Sequence, residues 1–360
     1  MENSVTILGI ETSCDETSVA LMRGGVLLSN IVSSQYIHEQ YGGVVPELAS
    51  RAHQKLIIPV VREALHRSGV HQNEITAVAA AFGPGLMGSL LVGVNFGKTF
   101  AFGLGVPFIG VNHMEAHIYS NFIDEPKPNF PLLCLTVSGG HTQLVLMRND
   151  FDYVIVGETR DDAAGEAFDK VAKMLGLGYP GGPKIGGLAK RGNPSAIDFP
   201  RSFLNEDRFG FSFSGIKTSV LYYLRDRHLQ IAGKTFDDGV PLMPIDDVLL
   251  ANICASFQSA VVDVLVTKTI DAAKYFGVQD VAVAGGVSAN SALRSAMTSA
   301  VKKECLRLFI PQIQYCTDNG AMIAEVGYRK FLRGSFSAFN LSAVANADVP
   351  VLADKEALSR

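Results

Sequence analysis

Leu132-Leu133-Cys134-Leu135-Thr136-Val137, then Ser138-Gly139-Gly140-His141, then Thr142-Gln143-Leu144-Val145-Leu146-Met147 is the stretch that decides the fold. Two apolar runs joined by a small polar turn read as a hairpin of buried strands. The same layout stands at the start of the chain: Val5 to Glu11, the turn Thr12-Ser13-Cys14-Asp15-Glu16, and Thr17 to Met22. A third strand follows each hairpin, Val26 to Ser33 in the first copy and one near Tyr153 to Val156 in the second. The repeat is weak in residues and clear in pattern. It predicts an α/β fold with a duplicated sheet and helices around it, as two similar lobes facing each other across a central cleft.

Pro46 to Ser68 has the pattern of an amphipathic helix whose first half is basic, with Arg51, His53 and Lys55. A solvated face explains that charge by default, and contact with an anionic partner is the sharper reading. Ala77 to Phe82 is a strand, and Gly83-Pro84-Gly85 turns it into a helix from Gly88 to Gly103. Asp161 to Lys170 opens a helix ending near Leu175, and Tyr179 to Pro183 reads as a glycine loop open to a ligand. Phe209 to Ser214 leads into a helix from about Gly215, and Gly233 to Pro244 reads as a loop. Asp246 to Phe276 is one long helix or two. Asp280 to Ala284 is a strand, Gly285-Gly286 a turn, and a helix start follows; such a helix end suits a phosphate. Arg307 to Ile310 is a last strand, and Thr317-Asp318-Asn319-Gly320 starts a helix running to Phe331.

His113-Met114-Glu115-Ala116-His117 follows the strand Phe108 to Val111 and opens a helix running to about Phe122. Residues four apart share a helix face, so both imidazoles can point at one spot. Two neutral imidazoles so placed suit a first-row transition metal, and a plain pair of surface histidines is the alternative. A third, acidic ligand decides between them. Asp318 is a helix cap by default and also the acid to place beside the histidines.

Hydrophobic residues make up 48% of the 360, charged residues 18%, and glycine is high at 35, which suits a glycine-looped enzyme and excludes a disordered chain. The most hydrophobic run, Leu86 to Val111, is broken by Asn95, Lys98 and glycines, so a buried helix and strand are expected there rather than a membrane span. No leader is visible, and five scattered cysteines read as reduced thiols, so a cytoplasmic protein is expected. The net charge of −4 argues against a uniformly basic nucleic-acid binder and leaves room for a local basic patch.

Gly9 to Thr17, Tyr41 to Ser50, Lys98 through His113 to His117, Val137 to Leu144, Asp161 to Lys170, Ala284 to Asn290 and Thr317 to Ala321 together resemble the bacterial tRNA N6-adenosine threonylcarbamoyltransferase family. The resemblance covers about the first 330 residues in the family's order. Asn112 and Ala116 depart from its pattern, at positions that are not ligands. It implies a two-lobed actin/hexokinase/Hsp70-like (ASKHA) fold. The expected lobes are 1–112 completed by 317–345, and 113–316, with 346–360 as a tail. It implies one divalent metal per subunit, Fe or Zn, on His113, His117 and Asp318. Thr136, Val137, Ser138, Gly139, Gly140, Asp169, Gly182 and Asn290 would hold a threonylcarbamoyl-AMP donor. The acyl group would pass to N6 of the adenosine beside the anticodon, position 37, in tRNAs reading codons that begin with A. Implied partners are tRNA, a smaller subunit of the same fold and a P-loop ATPase, with no membrane. Asp15 and Glu16 are candidates, by position in the first turn, for a carboxylate that assists the amine.

Three rivals compete. A zincin peptidase places its glutamate directly after the first histidine, whereas Glu115 sits two after His113, roughly opposite the pair at about 100° per residue. A sugar or acid kinase of the same fold does not require the histidine pair with Asp318. A non-catalytic scaffold would not need the metal set and glycine turns together.

Overall fold

The structure is a computed structural model that describes residues 4–201, 208–232 and 242–347. The chain forms two compact units, Met1–Pro128 with Pro311–Arg360, and Asn129–Ile310. In the first, β1 (Thr6–Glu11), β2 (Glu16–Arg23) and β3 (Val26–Ser34) form the expected meander. Helix α1 (Pro46–Ser68) starts on a proline, whose missing N–H costs nothing in a first turn, and ends at Gly69 with φ 68°. Strand β4 (Ala77–Gly83), helix α2 (Met87–Leu104), strand β5 (Phe108–Asn112) and the short helix α3 (His113–Tyr119) follow.

The second unit repeats the plan. Strands β6 (Leu132–Val137), β7 (Thr142–Asn149) and β8 (Asp152–Glu158) form its meander. Helices α4 (Ala164–Met174), α5 (Gly181–Ala189), α6 (Ser214–Arg225) and α7 (Asp247–Phe276) come next. Strand β9 (Asp280–Ala284), helix α8 (Ser291–Lys303) and strand β10 (Arg307–Phe309) complete the unit, and α9 (Gly320–Leu332) returns to the first.

The two sheets have one topology. The first runs β3-β2-β1-β4-β5 and the second, in mirrored listing, β10-β9-β6-β7-β8. In each, the first strand pairs antiparallel with the hairpin partner and parallel with the strand after the helices. Both central strands, β1 and β6, are buried throughout, which is why their sequences read as continuous apolar runs rather than alternating ones. The first core gathers Leu8, Ile10, Val19, Val61, Leu90 and Phe108, and the second Leu133, Leu135, Phe168, Phe257 and Val283.

Several elements differ from expectation. The units divide after Pro128 and Ile310, not after residues 112 and 316, because α3 packs on α9 and stays with the first sheet. The stretch expected as a loop at 179–183 instead begins α5 at Gly181. A 3-10 turn at Gly286–Ala289 separates β9 from α8, so the helix starts only after the Asn290 cap. Asp246 caps one unbroken helix, α7, by accepting from Leu249 N at 2.7 Å. Helix α7 is the one described helix long and apolar enough to cross a membrane, and 67% of its apolar window is buried in the protein. Most of the expected 233–244 loop, and the 346–360 tail beyond Ala347, lie outside the described residues.

Candidate functional site

Helix α3 begins where β5 ends, and Asn112 makes the change of direction: its side chain accepts from Met114 N and Glu115 N. This satisfies two of the free N–H groups of the first turn and fixes the position of His113 one residue on. Every residue of α3 is buried. Opposite it, Asp318 precedes α9. The cap of α9 is Asn319, whose side chain accepts from Met322 N, so Asp318 is not the capping residue. Its carboxylate turns to the histidines instead. Helix α9 lies close on β1 at Gly9, where a Cβ would stand 2.5 Å from Ala324 N and 2.6 Å from Gly320 O. No side chain fits there, so the glycine sets how near the acid approaches the sheet.

Three ligand atoms converge. His113 Nε2 and His117 Nε2 are 3.1 Å apart. Asp318 Oδ1 lies 3.1 Å from His117 Nε2 and 3.5 Å from His113 Nε2. A metal with bonds of ~2.1 Å holds adjacent ligand atoms about 3.0–3.4 Å apart, so these three atoms could hold one first-row ion. Two histidines and one carboxylate would hold such an ion and leave it able to take a further ligand.

The surroundings suit the same group. Glu11 Oε2 lies 3.1 Å from His113 Nδ1, with Ser13 Oγ at 3.2 Å. A carboxylate only accepts, so Nδ1 carries a proton, and Nε2 is the nitrogen left for a metal once its own proton is displaced. Burial alone would push His113 down, but the Asp318 and Glu11 carboxylates together hold it up to about 9. Burial likewise resists ionisation of Asp318, and His113 and His117 outweigh it, holding the carboxyl down to about 2. A buried excess of negative charge of this kind is stabilised by a cation, a proton or a metal.

Asp15 and Glu16 lie at the same end of the first sheet. Burial, then Asp318 and Asp15, push Glu16 well above the usual carboxylate range, and burial with Asp15 and Asp318 pushes up the Cys14 thiol. The backbone of this turn is held by a residue that the sequence reading left on a basic face. His53 is fully buried, receives the Thr17 hydroxyl at 2.8 Å on Nδ1 and donates Nε2 to the Cys14 carbonyl at 3.0 Å. Burial pushes its pKa down, consistent with a neutral ring.

The expected donor-binding residues all lie in the second unit. Strands β6 and β9 are parallel, with Thr136 beside Ala284, so the Ser138–Gly140 and Gly285–Asn290 turns leave neighbouring strand ends. His141 O accepts from Ser138 N at 2.8 Å, closing the first turn, and Ser138 O accepts from Gly165 N at 3.2 Å, tying it to α4. Gly285 has φ 86°, and a Cβ there would stand 2.4 Å from Val137 O. Gly139, Gly140, Gly182 and Gly286 face open space.

Asp169 and Gly182 meet, with the acid serving the helix: Asp169 Oδ1 accepts from Gly181 N at 2.7 Å, at the start of α5. Asn290 caps α8 through Oδ1 and donates Nδ2 to Gln258 Oε1 at 2.8 Å. Its amide also lies near Gly186 of α5. Sequence reading missed Glu11, His53 and Gln258. Their signals are contacts 102, 39 and 32 residues away, which local patterns do not carry.

The family model described as "TsaD: tRNA N6-adenosine threonylcarbamoyltransferase" matches residues 26–325. A tRNA N6-adenosine threonylcarbamoyltransferase from Cytophaga hutchinsonii is 51% identical over 339 residues, covering 94% of this chain and 95% of its own. Full-length HypF, solved with phosphate and nucleotide bound, resembles the chain in fold with a TM-score of 0.62 at 13% identity, over 92% of this chain and 47% of that one. Component A of the (R)-2-hydroxyglutaryl-CoA dehydratase of Acidaminococcus fermentans does so with a TM-score of 0.51 at 15% identity, over 91% of this chain and 98% of that one. These likenesses agree with the expected ASKHA-type α/β fold of two mixed sheets. The length and level of the sequence match place the chain in the tRNA N6-adenosine threonylcarbamoyltransferase family, as an acyltransferase-type enzyme.

Proposed function

We propose that this protein transfers the threonylcarbamoyl group of threonylcarbamoyl-AMP to N6 of adenosine 37 in tRNAs that read codons beginning with A. The observation that carries the reading is the meeting of His113, His117 and Asp318, two segments about 200 residues apart in a family of tRNA-modifying transferases. The donor is a mixed anhydride with a good leaving group, so the protein has mainly to hold and orient the reactants.

Ser138 to Gly140, with Thr136 and Val137 behind them, would receive the donor together with Gly182 and the Gly285–Asn290 turn. Backbone N–H groups and bare glycines suit a phosphate that must come close to the main chain. Asp169 and Asn290 would act from behind, by holding the start of α5 and the start of α8. A divalent metal, Fe or Zn, on His113, His117 and Asp318 would supply a Lewis acid or an orienting centre.

In the transfer itself the N6 nitrogen forms a bond to the carbonyl carbon, the bond from that carbon to the phosphate oxygen breaks, and AMP leaves. The proton lost by N6 needs an acceptor. Glu16 suits it better than an ordinary carboxylate, because its raised pKa makes it a stronger base, and Asp15 stands beside it. Glu115 is committed elsewhere, to Lys330 Nζ at 2.7 Å, which leaves the peptidase reading without its base.

The reaction would be cytoplasmic and shared with tRNA, a smaller subunit of the same fold and a P-loop ATPase. The test is incubation of the protein and these partners with the acyl adenylate and unmodified tRNA, followed by mass spectrometry of the nucleosides. Threonylcarbamoyladenosine should form. Cleavage of a protein substrate with the tRNA left unmodified would refute the reading.

A further inference from the structure

Glu115 stands on α3 between the two histidines in sequence and about 160–200° from them around the axis. It is 1% exposed and pairs with Lys330 Nζ at 2.7 Å, while that ammonium also lies 3.4 Å from Gly110 O in the middle of β5. Lys330 belongs to the last turn of α9, the helix that Asp318 precedes. The two ligand-bearing segments are therefore joined twice: across the three ligand atoms on one face of α3, and across a buried ion pair on the opposite face. Ten residues of helix separate the two junctions along α9, ~15 Å. Arg329 adds to the second junction, with its Nε 2.6 Å from Glu325 Oε1 and its guanidinium 4.5 Å from the Phe122 ring centre.

We infer that the Glu115–Lys330 pair is a positioning device that sets the rotation of α3 about its own axis, and with it the fit of both imidazoles around Asp318. A seven-residue helix has little rigidity of its own. Rotation by ~20° carries an imidazole nitrogen by ~2 Å, whereas metal–ligand distances tolerate about 0.2 Å. Burial and the Asn112 cap restrain α3, and the buried ion pair on the far side adds a second fixed point for that angle. A charged pair serves here because a buried ammonium and carboxylate 2.7 Å apart resist separation, whereas apolar packing tolerates sliding. The inference rests on the reading of His113, His117 and Asp318 as metal ligands.

Co2+ titration followed by visible absorption, with thermal melts of the same samples, separates this role from plain packing. Glu115→Gln and Lys330→Met should each weaken Co2+ binding by about 10-fold or more, and each should melt lower, because one buried charge loses its partner. The double variant should regain much of the melting temperature, since both charges are gone, and yet keep the weakened Co2+ affinity. Lys330→Arg, which keeps the charge and the reach, should restore affinity close to that of the parent. Parent-like Co2+ affinity in the folded single variants, or recovery of affinity together with stability in the double variant, would overturn the inference. So would a Lys330→Arg protein that folds and binds as poorly as Lys330→Met. Failure of every variant to fold would make the pair structural and overturn it as well. If the parent took up no Co2+, the metal reading itself would fall, and His113→Ala with His117→Ala is the control that marks specific uptake.

Discussion

Glu11 and His113 face each other at 3.1 Å, a carboxylate at the end of the first strand against Nδ1 of a histidine a hundred residues later. The contact fixes which nitrogen of the ring carries the proton. Glu11→Gln removes the negative charge and lets the ring turn, so metal affinity should fall by roughly 10–100-fold while the fold persists. Metal content after dialysis against a graded chelator reads this directly.

Removing the ligands themselves should act more completely. His113→Ala with His117→Ala should leave no bound transition metal in purified protein, and Asp318→Ala should lower transfer strongly. Metal analysis and circular dichroism together decide it: full occupancy in a folded double variant would show that the ion sits elsewhere.

The two glycines after β9 should behave differently. Gly286 faces open space, so Gly286→Val should fold normally and lose affinity for AMP or ATP. Gly285→Val adds strain at φ 86° and a clash with Val137 O, so its melting temperature should drop by several degrees. Equal nucleotide affinity in Gly286→Val and the parent protein would move the donor site away from this turn.

Stability of the metal-free protein should depend on pH in one direction. The His113 pKa is raised from 6.5 to about 9 by Asp318 and Glu11 against the pull of burial. A raised pKa means that the stabilisation is fully present below pH 6.5 and is lost as pH rises through about 9. A metal bound by His113, His117 and Asp318 would replace that proton. Melting curves from about pH 7 to about pH 10 should therefore fall for the metal-free form and stay flat for the loaded one. A flat metal-free profile would show that His113 is not held by its carboxylates.

The duplicated sheet was legible because β1 and β6 are buried on both faces, and their composition alone announces it. The His113–His117 spacing was legible for the equally local reason of helix period. Helix α5 was not: Gly181, Gly182 and Pro183 read as a loop, and what starts the helix there is Asp169, twelve residues away on α4. Asp318 was half legible. Its place before a helix suggested a cap, and only the structure shows Asn319 taking that duty. Lys330 carried no signal, since a lysine in a last turn is ordinary and its partner lies 215 residues earlier.

The first unit is interrupted, taking Met1–Pro128 and then Pro311–Arg360. The residues of its candidate metal site come from both pieces, with Glu11, His113 and His117 before the interruption and Asp318 after it. On the ribosome the chain emerges from its N-terminus, so both histidines and the whole of Asn129–Ile310 precede the acid. A nascent chain stopped anywhere short of Asp318 holds an incomplete triad, and a truncated product would be a poor competitor for scarce metal in the cell.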